Sequence, residues 1–345
     1  MSKIKVKVFP KWLVNKLRLK NVPQRAVDFL CNLFKMDRRQ IEERYSKYFY
    51  EYYRELIEGE ESDKNRYALT CHLIAQEYTA KNATLLDLGC GFGLQSILFS
   101  LYGNNVIALD ISRKKIRTLR KILRYENSNF RVFPIIGSAL KLPLRSHSVD
   151  FVYSNEVISH LPNLMKCFKE IRRILKGIII ISDTNKLCLK TRYTLAFFQE
   201  RRKKSRLVYK EMRRKILINY CNAEKKRFPR EVIEKIVDAT DGFTKKEILQ
   251  ILSAYIEGHT NIMQLAKNFG KRFPYREPTS GIYEERLFTP RLISTALKSM
   301  GFVTQTRLPI VAYKPLYDVV QLPVIKEILS VVLYPKYLVV SYRQT

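Results

Sequence analysis

The sequence predicts an α/β protein built on an open, mostly parallel sheet, and three observations lead there. Residues 83–93, ATLLDLGCGFG, set a short apolar run before a turn with three alternate glycines, Gly89, Gly91 and Gly93. Residues 94–101 resume with helical character, so the glycines sit at a strand-to-helix junction. A second apolar run, NVIALD at 105–110, ends on an acid at the distance a βαβ unit requires.

The first strand, Ala83 to Leu86, is short and wholly apolar apart from Thr84, as a buried parallel strand should be. Its turn is not built for phosphate, because no Lys followed by Ser or Thr comes after Gly93. Nor does the glycine spacing match the dinucleotide pattern, and Asp87 stands two residues before the first glycine, where a carboxylate would repel a pyrophosphate. The same carboxylate attracts a cation. S-adenosylmethionine offers an ammonium and a sulfonium and has no phosphate, so an acidic entry to a Gly-x-Gly-x-Gly turn suits it. The glycines allow close backbone approach to such a ligand. The second strand delivers Asp110, whose carboxylate is placed to accept hydrogen bonds from ribose hydroxyls, with Ile111 beside it.

At this point the stretch resembles the class I S-adenosylmethionine-dependent methyltransferases, in the branch that methylates small molecules, lipids and quinones. Residues 135–183, IIGSALKLPLRSHSVDFVYSNEVISHLPNLMKCFKEIRRILKGIIIISD, look like that family's run from the third strand to the fifth. ERLFTPRLISTALKSMGF and YPKYLVVSYR resemble its last helix and closing strand, so the likeness covers about residues 65–185 and 285–343. The resemblance implies a Rossmann-like, seven-stranded, mostly parallel sheet whose last strand is antiparallel, with S-adenosyl-L-methionine as cofactor. It implies a cofactor-binding set of Asp87, Gly89, Cys90, Gly91, Gly93, Asp110, Ile111, Ser138, Ala139 and Asn155. Ser138 stands where the family commonly has Asp beside the adenine, and Cys90 is a small space-filling member of the turn. The fourth strand, Val149 to Ser154, delivers Asn155 and Glu156 toward the methyl group. Before strand five the family usually has a Lys-Pro-Gly-Gly turn, and this chain has only Lys176 and Gly177.

Methyl transfer from a sulfonium is an in-line displacement, so alignment and exclusion of water are the protein's main contributions. For a hydroxyl or acidic carbon acceptor a general base helps, and the candidates are His160, Glu156 and Tyr153. His160, in VISHLPN, resembles a histidine frequent at this place in the family. His72, His147 and His259 have no partner spacing and read as surface or structural residues.

A chain of 345 residues with 46% hydrophobic residues can bury a substantial core plus an appendage. Its six cysteines are scattered without metal-ligand spacing and no signal peptide precedes them, so a reducing cytoplasm is expected and no metal is. No uncharged apolar run is long enough to span a membrane.

The formal charge of +31 is unevenly spread. Residues 1–50 carry 13 Lys and Arg against 4 Asp and Glu, and residues 186–230 carry 16 against 3. In the first segment Trp12, Leu13 and Leu17 share a helical face surrounded by Lys11, Lys16 and Arg18. In the second, Val208, Met212, Ile216 and Tyr220 form one stripe, with Phe197 and Phe198 beside the cluster from Arg201 to Arg206. Either the stripes pack on the core and the charges are solvated, or the segments meet an anionic partner. A membrane surface ranks ahead of RNA, because residues 154–157 read SNEV and the Asn/Asp-Pro-Pro-aromatic motif of exocyclic-amine methylation is missing.

The expected organisation is a basic helical arm over 1–64, a methyltransferase core over 65–185 and 285–345, and a helical insertion over 186–284 that roofs the site. The expected activity is methyl transfer to a small-molecule, lipid or lipid-linked acceptor, in a cytoplasmic protein peripheral on the inner face of an anionic membrane. RNA methylation is the second reading, and a non-catalytic cofactor-binding interaction protein the third.

Overall fold

The computed structural model describes residues 23–61, 64, 67–68, 71, 74–75, 82–126, 129–184, 189–269, 276–279, 281, 286–307 and 336–343, without the side chains of 189–202, 306–307 and 336–338. The chain divides into two compact units, Met1–Ile158 with Asn163–Asn185 and Phe288–Thr345, and Ser159–Pro162 with Lys186–Leu287.

The first unit is built on a seven-stranded sheet of order β3-β2-β1-β4-β5-β7-β6. Its strands are β1 (Thr84–Leu88), β2 (Asn105–Asp110), β3 (Val132–Ile136), β4 (Val149–Asn155), β5 (Leu175–Thr184), β6 (Phe302–Arg307) and β7 (Lys336–Arg343). All pairs among β1 to β5 are parallel, and β7 runs antiparallel to both β5 and β6. The chain winds from β1 outward to β2 and β3, then returns to the other side of β1 for β4. That reversal opens a crevice beyond the carboxyl ends of the strands. Leu88 pairs with Leu109 on one side and Ser154 on the other, so the tips of β1, β2 and β4 end level with one another.

Short helices connect these strands for local reasons. After β1, α4 (Leu94–Leu101) is apolar nearly all round and buries Leu94, Ile97, Leu98 and Phe99. Full burial of such side chains contributes about 1.5–3 kcal/mol each. After β2, Ser112 caps α5 (Arg113–Tyr125) through its side chain, which accepts from the Lys115 N–H, and Ile116, Leu119 and Ile122 form the buried stripe. α6 (Leu164–Ile174) runs directly into β5. The shortened turn expected at Lys176 and Gly177 is therefore strand instead, with a register shift opposite Val149 and Phe151. Gly177 is required there because a Cβ would stand 2.6 Å from the Asp150 carbonyl oxygen.

Helices α1 (Gln24–Lys35), α2 (Arg38–Arg44) and α3 (Lys47–Ile57) belong to this same unit. Phe29, Leu30, Leu33, Ile41, Tyr45 and Phe49 share one core with Leu85, Phe92 and Ile97. The Tyr45 hydroxyl donates to Glu126 at 2.7 Å, which ties α2 to the end of α5. The amphipathic stretch around Trp12 lies outside the described residues.

The second unit consists of α7 (Leu189–Ala223), α8 (Arg230–Ala239), α9 (Lys245–Ile256) and α10 (Ile262–Asn268). Its core joins Leu217, Ile236, Val237, Phe243, Ile248, Ile251 and Leu252. The inward stripe of α7 runs through Arg213, Leu217 and Cys221, one position round from the stripe expected at Val208, Met212, Ile216 and Tyr220. Val208 is 55% exposed. The displacement has a polar cause. Arg213 is buried because its guanidinium donates to the Val237 carbonyl at 3.1 Å and to Asp241 at 3.2 Å, and a charge so satisfied can occupy a core position. The side chains of Phe197, Phe198, Arg201 and Arg202 lie outside the described ones. Among the described residues no helix is long and apolar enough to cross a membrane.

Candidate functional site

The glycine turn caps β1 and feeds α4. Gly89 and Cys90 both donate their N–H groups to the Leu109 carbonyl, at 2.7 and 3.0 Å, which docks the turn onto the end of β2. The three glycines have different reasons to be glycine. A Cβ at Gly89 would lie 2.3 Å from Val157 Cγ2, and one at Gly93 would lie 2.5 Å from Leu119 Cδ1. Gly91, at φ +59°, meets nothing within 4 Å. Two positions are demanded by packing behind the turn, and the third faces open space.

Beside that open face stands Asp110. One carboxylate oxygen accepts the Gly91 N–H at 2.9 Å and the other accepts the Ser112 N–H at 2.7 Å. Backbone amides thus fix the group in one orientation, while its remaining lone pairs are able to accept hydroxyl donors. Asp87 is buried like Asp110 but has different partners. It is buried at the end of β1, accepts the Ser96 hydroxyl, and has its carboxyl pushed up to about 7. Burial is the main cause, opposed by the Ser96 hydrogen bond and reinforced by the Asp110 charge. Cys90 is half-buried and its thiol is held well above the usual range by burial and by the two nearby carboxylates.

The other residues expected at the site fall at the neighbouring strand tips. Ser138 follows β3 and heads a tight turn, its hydroxyl accepting the Leu140 N–H at 3.2 Å and its carbonyl the Lys141 N–H at 3.1 Å. That hydroxyl does locally what a short carboxylate would do. Ala139 is buried within the turn, and Ile111 stands 60% exposed after Asp110. Asn155 ends β4, and Glu156 follows in a left-handed conformation, φ +54°, with its N–H bonded to the Ser182 carbonyl at 2.8 Å. Such a conformation at a non-glycine residue is a store of strain often found at functional sites. Tyr153 is buried on β4 with its ring 5.2 Å from Phe99. Burial, then Cys71, Asp87 and Glu156, hold its hydroxyl well above the usual phenol range. It is therefore a neutral hydrogen-bond donor and no ready base. His160 ends the single turn Ile158–His160 and belongs with the second unit, where the neighbouring Ser159 carbonyl accepts the Arg286 N–H at 2.9 Å. Among the described residues no cluster of side chains could hold a metal ion.

The structure adds residues that sequence reasoning missed. Phe92, inside the glycine turn, is fully buried, and four rings of α3 surround it: Tyr48, Phe49, Tyr52 and Tyr53, with centroids 5.3–5.8 Å away. Tyr52 remains 56% exposed, and its hydroxyl is raised by desolvation and then by the charges of Glu156 and Asp110. Lys115 lies over the Tyr52 ring at 5.0 Å. Tyr53 is raised well above its usual range by burial, with Tyr52, Cys71, Cys90 and Asp87 contributing. The signal was present in YFYEYY at 48–53, five aromatic residues of six, repeating at the spacing of a helical face.

Comparison with known proteins agrees with this geometry. Residues 86–181 match the family described as "Methyltransferase domain". A sterol 4-C-methyltransferase from Caenorhabditis elegans is 25% identical over 129 residues, which cover 37% of this chain and 39% of that protein. A 2-methyl-6-phytyl-1,4-hydroquinone methyltransferase from Synechocystis sp. is 33% identical over 106 residues, covering 30% of this chain and 32% of that one. The chain thus matches less than half the length of either relative. Among solved structures, the PH0226 protein from Pyrococcus horikoshii is 20% identical with a TM-score of 0.46, covering 85% of this chain and 99% of that one. Residues 86–181, within the first unit, thus match a methyltransferase domain, and they lie on its seven-stranded sheet.

Proposed function

We propose that this protein transfers a methyl group from S-adenosylmethionine to a small apolar or lipid-like acceptor. The observation that carries the reading is the Asp110 carboxylate, held by two backbone N–H groups beside the unobstructed face of Gly91. A ribose needs such fixed acceptors and an adenosyl group such an opening. The bound cofactor supplies an electrophilic methyl on a sulfonium. The chain supplies the alignment.

In this reading Asp110 accepts the ribose hydroxyls, Gly91 admits the cofactor to the backbone, and Ile111, Ser138 and Ala139 line the adenine side. Asp87, with Gly89, Cys90 and Gly93 shaping the turn, presents negative charge toward the cofactor's cationic end. Burial has raised Asp87 to about 7, so a nearby cation favours loss of its proton. Tyr52 and Tyr53, from the aromatic cap of α3, exclude water from this end. Asn155 and Glu156, at the tip of β4, face the acceptor, and Glu156 is the preferred proton acceptor for a hydroxyl or acidic carbon. Tyr153 contributes a donor, and His160 is the alternative base. In the chain, the helical segment 186–284 is inserted between β5 and α11 (Pro290–Lys298). The printed activities of the sterol and hydroquinone relatives support an apolar acceptor, and the +31 charge supports work at an anionic membrane surface, on the cytoplasmic side.

Incubating the protein with methyl-labelled cofactor and fractionated lipid extract tests this. Label should enter a lipid fraction with the wild type and not with Asp110→Ala. Label entering RNA while all lipid fractions stay cold would replace the reading with its RNA alternative.

A further inference from the structure

We propose that the outer face of α5 is a docking surface for an anionic lipid bilayer, an inference that rests on the lipid-acceptor reading above. The helix RKKIRTLRKILRY holds seven Lys and Arg and no acid. Arg113, Arg117, Arg120 and Arg124 repeat at helical spacing and form one exposed stripe opposite the buried Ile116, Leu119 and Ile122. Like charges at that spacing repel one another, so the stripe weakens the helix unless something negative covers it. Among the described residues none of the seven forms an ion pair. Lys114 lies over the Tyr48 ring at 3.8 Å and Lys115 over Tyr52. Arg120 and Lys121 donate only to backbone carbonyls, of Pro134 at 3.2 Å and Glu43 at 2.7 Å. Arg113, Arg117 and Arg124 engage no partner among the described residues.

The basic helix α7 shows the contrast. Arg206 and Arg213 pair with Asp241, Lys210 with Asp238 at 2.7 Å, and Arg214 with Glu234 and Glu211. Of the seven basic side chains described on α7, these four are ion-paired inside their own unit, whereas none of the seven on α5 is. Exposed apolar side chains border the α5 stripe. Ile111 precedes its cap, Tyr125 ends it, and Phe133, 55% exposed, stands on the edge strand β3 that Arg120 tethers. Phosphates of a bilayer surface would meet the arginines while Ile111 and Phe133 enter the acyl boundary. Nucleic acid would use the cations and gain little from Ile111. The position has a use as well: α5 begins three residues after Asp110, so a surface covering it borders the rim of the cofactor cradle.

The test is flotation of the full chain with vesicles of equal parts phosphatidylserine and phosphatidylcholine, against pure phosphatidylcholine, over a salt series. The triple variant Arg113→Glu, Arg117→Glu, Arg124→Glu is compared with a charge-matched control in the second unit, Lys225→Glu, Lys226→Glu, Arg227→Glu. Wild type and control should bind anionic vesicles at low salt and release at high salt, and the α5 variant should bind about 100-fold more weakly or worse. Three outcomes overturn the inference: no binding to anionic vesicles, equal loss in the control, or α5-dependent retention of single-stranded RNA in place of vesicles. Cofactor calorimetry on the same preparations keeps the two proposals apart. If vesicle binding fails while S-adenosylmethionine still binds, docking alone is wrong. If the cofactor fails to bind while vesicles are held, the methyltransferase reading is wrong and the surface stands.

Discussion

The tips of β1 and β2 each carry a buried aspartate, Asp87 one residue before the end of its strand and Asp110 at the end, and the two carboxylates differ in what holds them. Asp110 is clamped by the N–H groups of Gly91 and Ser112, which hold it as a fixed acceptor. Asp87 is buried behind the glycine turn with one hydroxyl partner, and burial raises it to about 7. The same side chain on neighbouring strands thus performs two tasks, one geometric and one electrostatic. Environment decides which.

Removing the geometric task should do the most damage. Asp110→Ala loses two hydroxyl contacts to a charged acceptor, each worth about 1.5–3 kcal/mol, so cofactor affinity should fall by a factor of at least ~100 by calorimetry. A loss under threefold would show that the ribose is held elsewhere. Next comes the packing behind the turn. Gly89→Ala drives a methyl into Val157 at a positive φ, and should lower folding stability by about 2–4 kcal/mol in urea denaturation.

The electrostatic task is exposed by pH. The folded carboxyl of Asp87 binds its proton more tightly than an unfolded one, so its contribution to stability is complete below the ordinary carboxylate range and disappears as pH rises through about 7. A cationic ligand favours the ionised form. Cofactor affinity should therefore rise about tenfold from pH 6 to pH 8, with proton release detectable in buffers of different ionisation enthalpy. Asp87→Asn should flatten the profile, and an unaltered slope in that variant would assign the titration to another group. The smallest effect on folding belongs to Gly91→Ala. Its methyl meets no atom, so only the left-handed conformation is penalised, at about 1–2 kcal/mol, while the methyl intrudes on the open face. A loss as large as that of Gly89→Ala would erase the distinction between the two glycines.

Much of this site could be read from residues alone, because strands and turns here announce themselves locally. Apolar runs ended by Gly89 and by Asp110 place β1 and β2, and the αL requirement at the turn leaves few alternatives to glycine. What escaped reading depends on distant partners. The aromatic run of α3 was passed over as part of a basic arm, since only the folded chain brings Tyr48, Tyr52 and Tyr53 around Phe92. The inward stripe of α7 was misplaced by one residue because its centre is Arg213, a charge made tolerable by Asp241 and the Val237 carbonyl. Lys176 and Gly177 looked like a turn, and the bulge that absorbs them is visible only against Asp150.

Whether the crevice at the tips of β1 and β2 holds a sulfonium nucleoside is decided by calorimetric titration of the purified chain with S-adenosylmethionine and, separately, with a nicotinamide dinucleotide. Saturable uptake of the sulfonium nucleoside, abolished by Asp110→Ala, and no uptake of the dinucleotide is the expected result. Uptake of the dinucleotide with indifference to S-adenosylmethionine at millimolar concentration would contradict it.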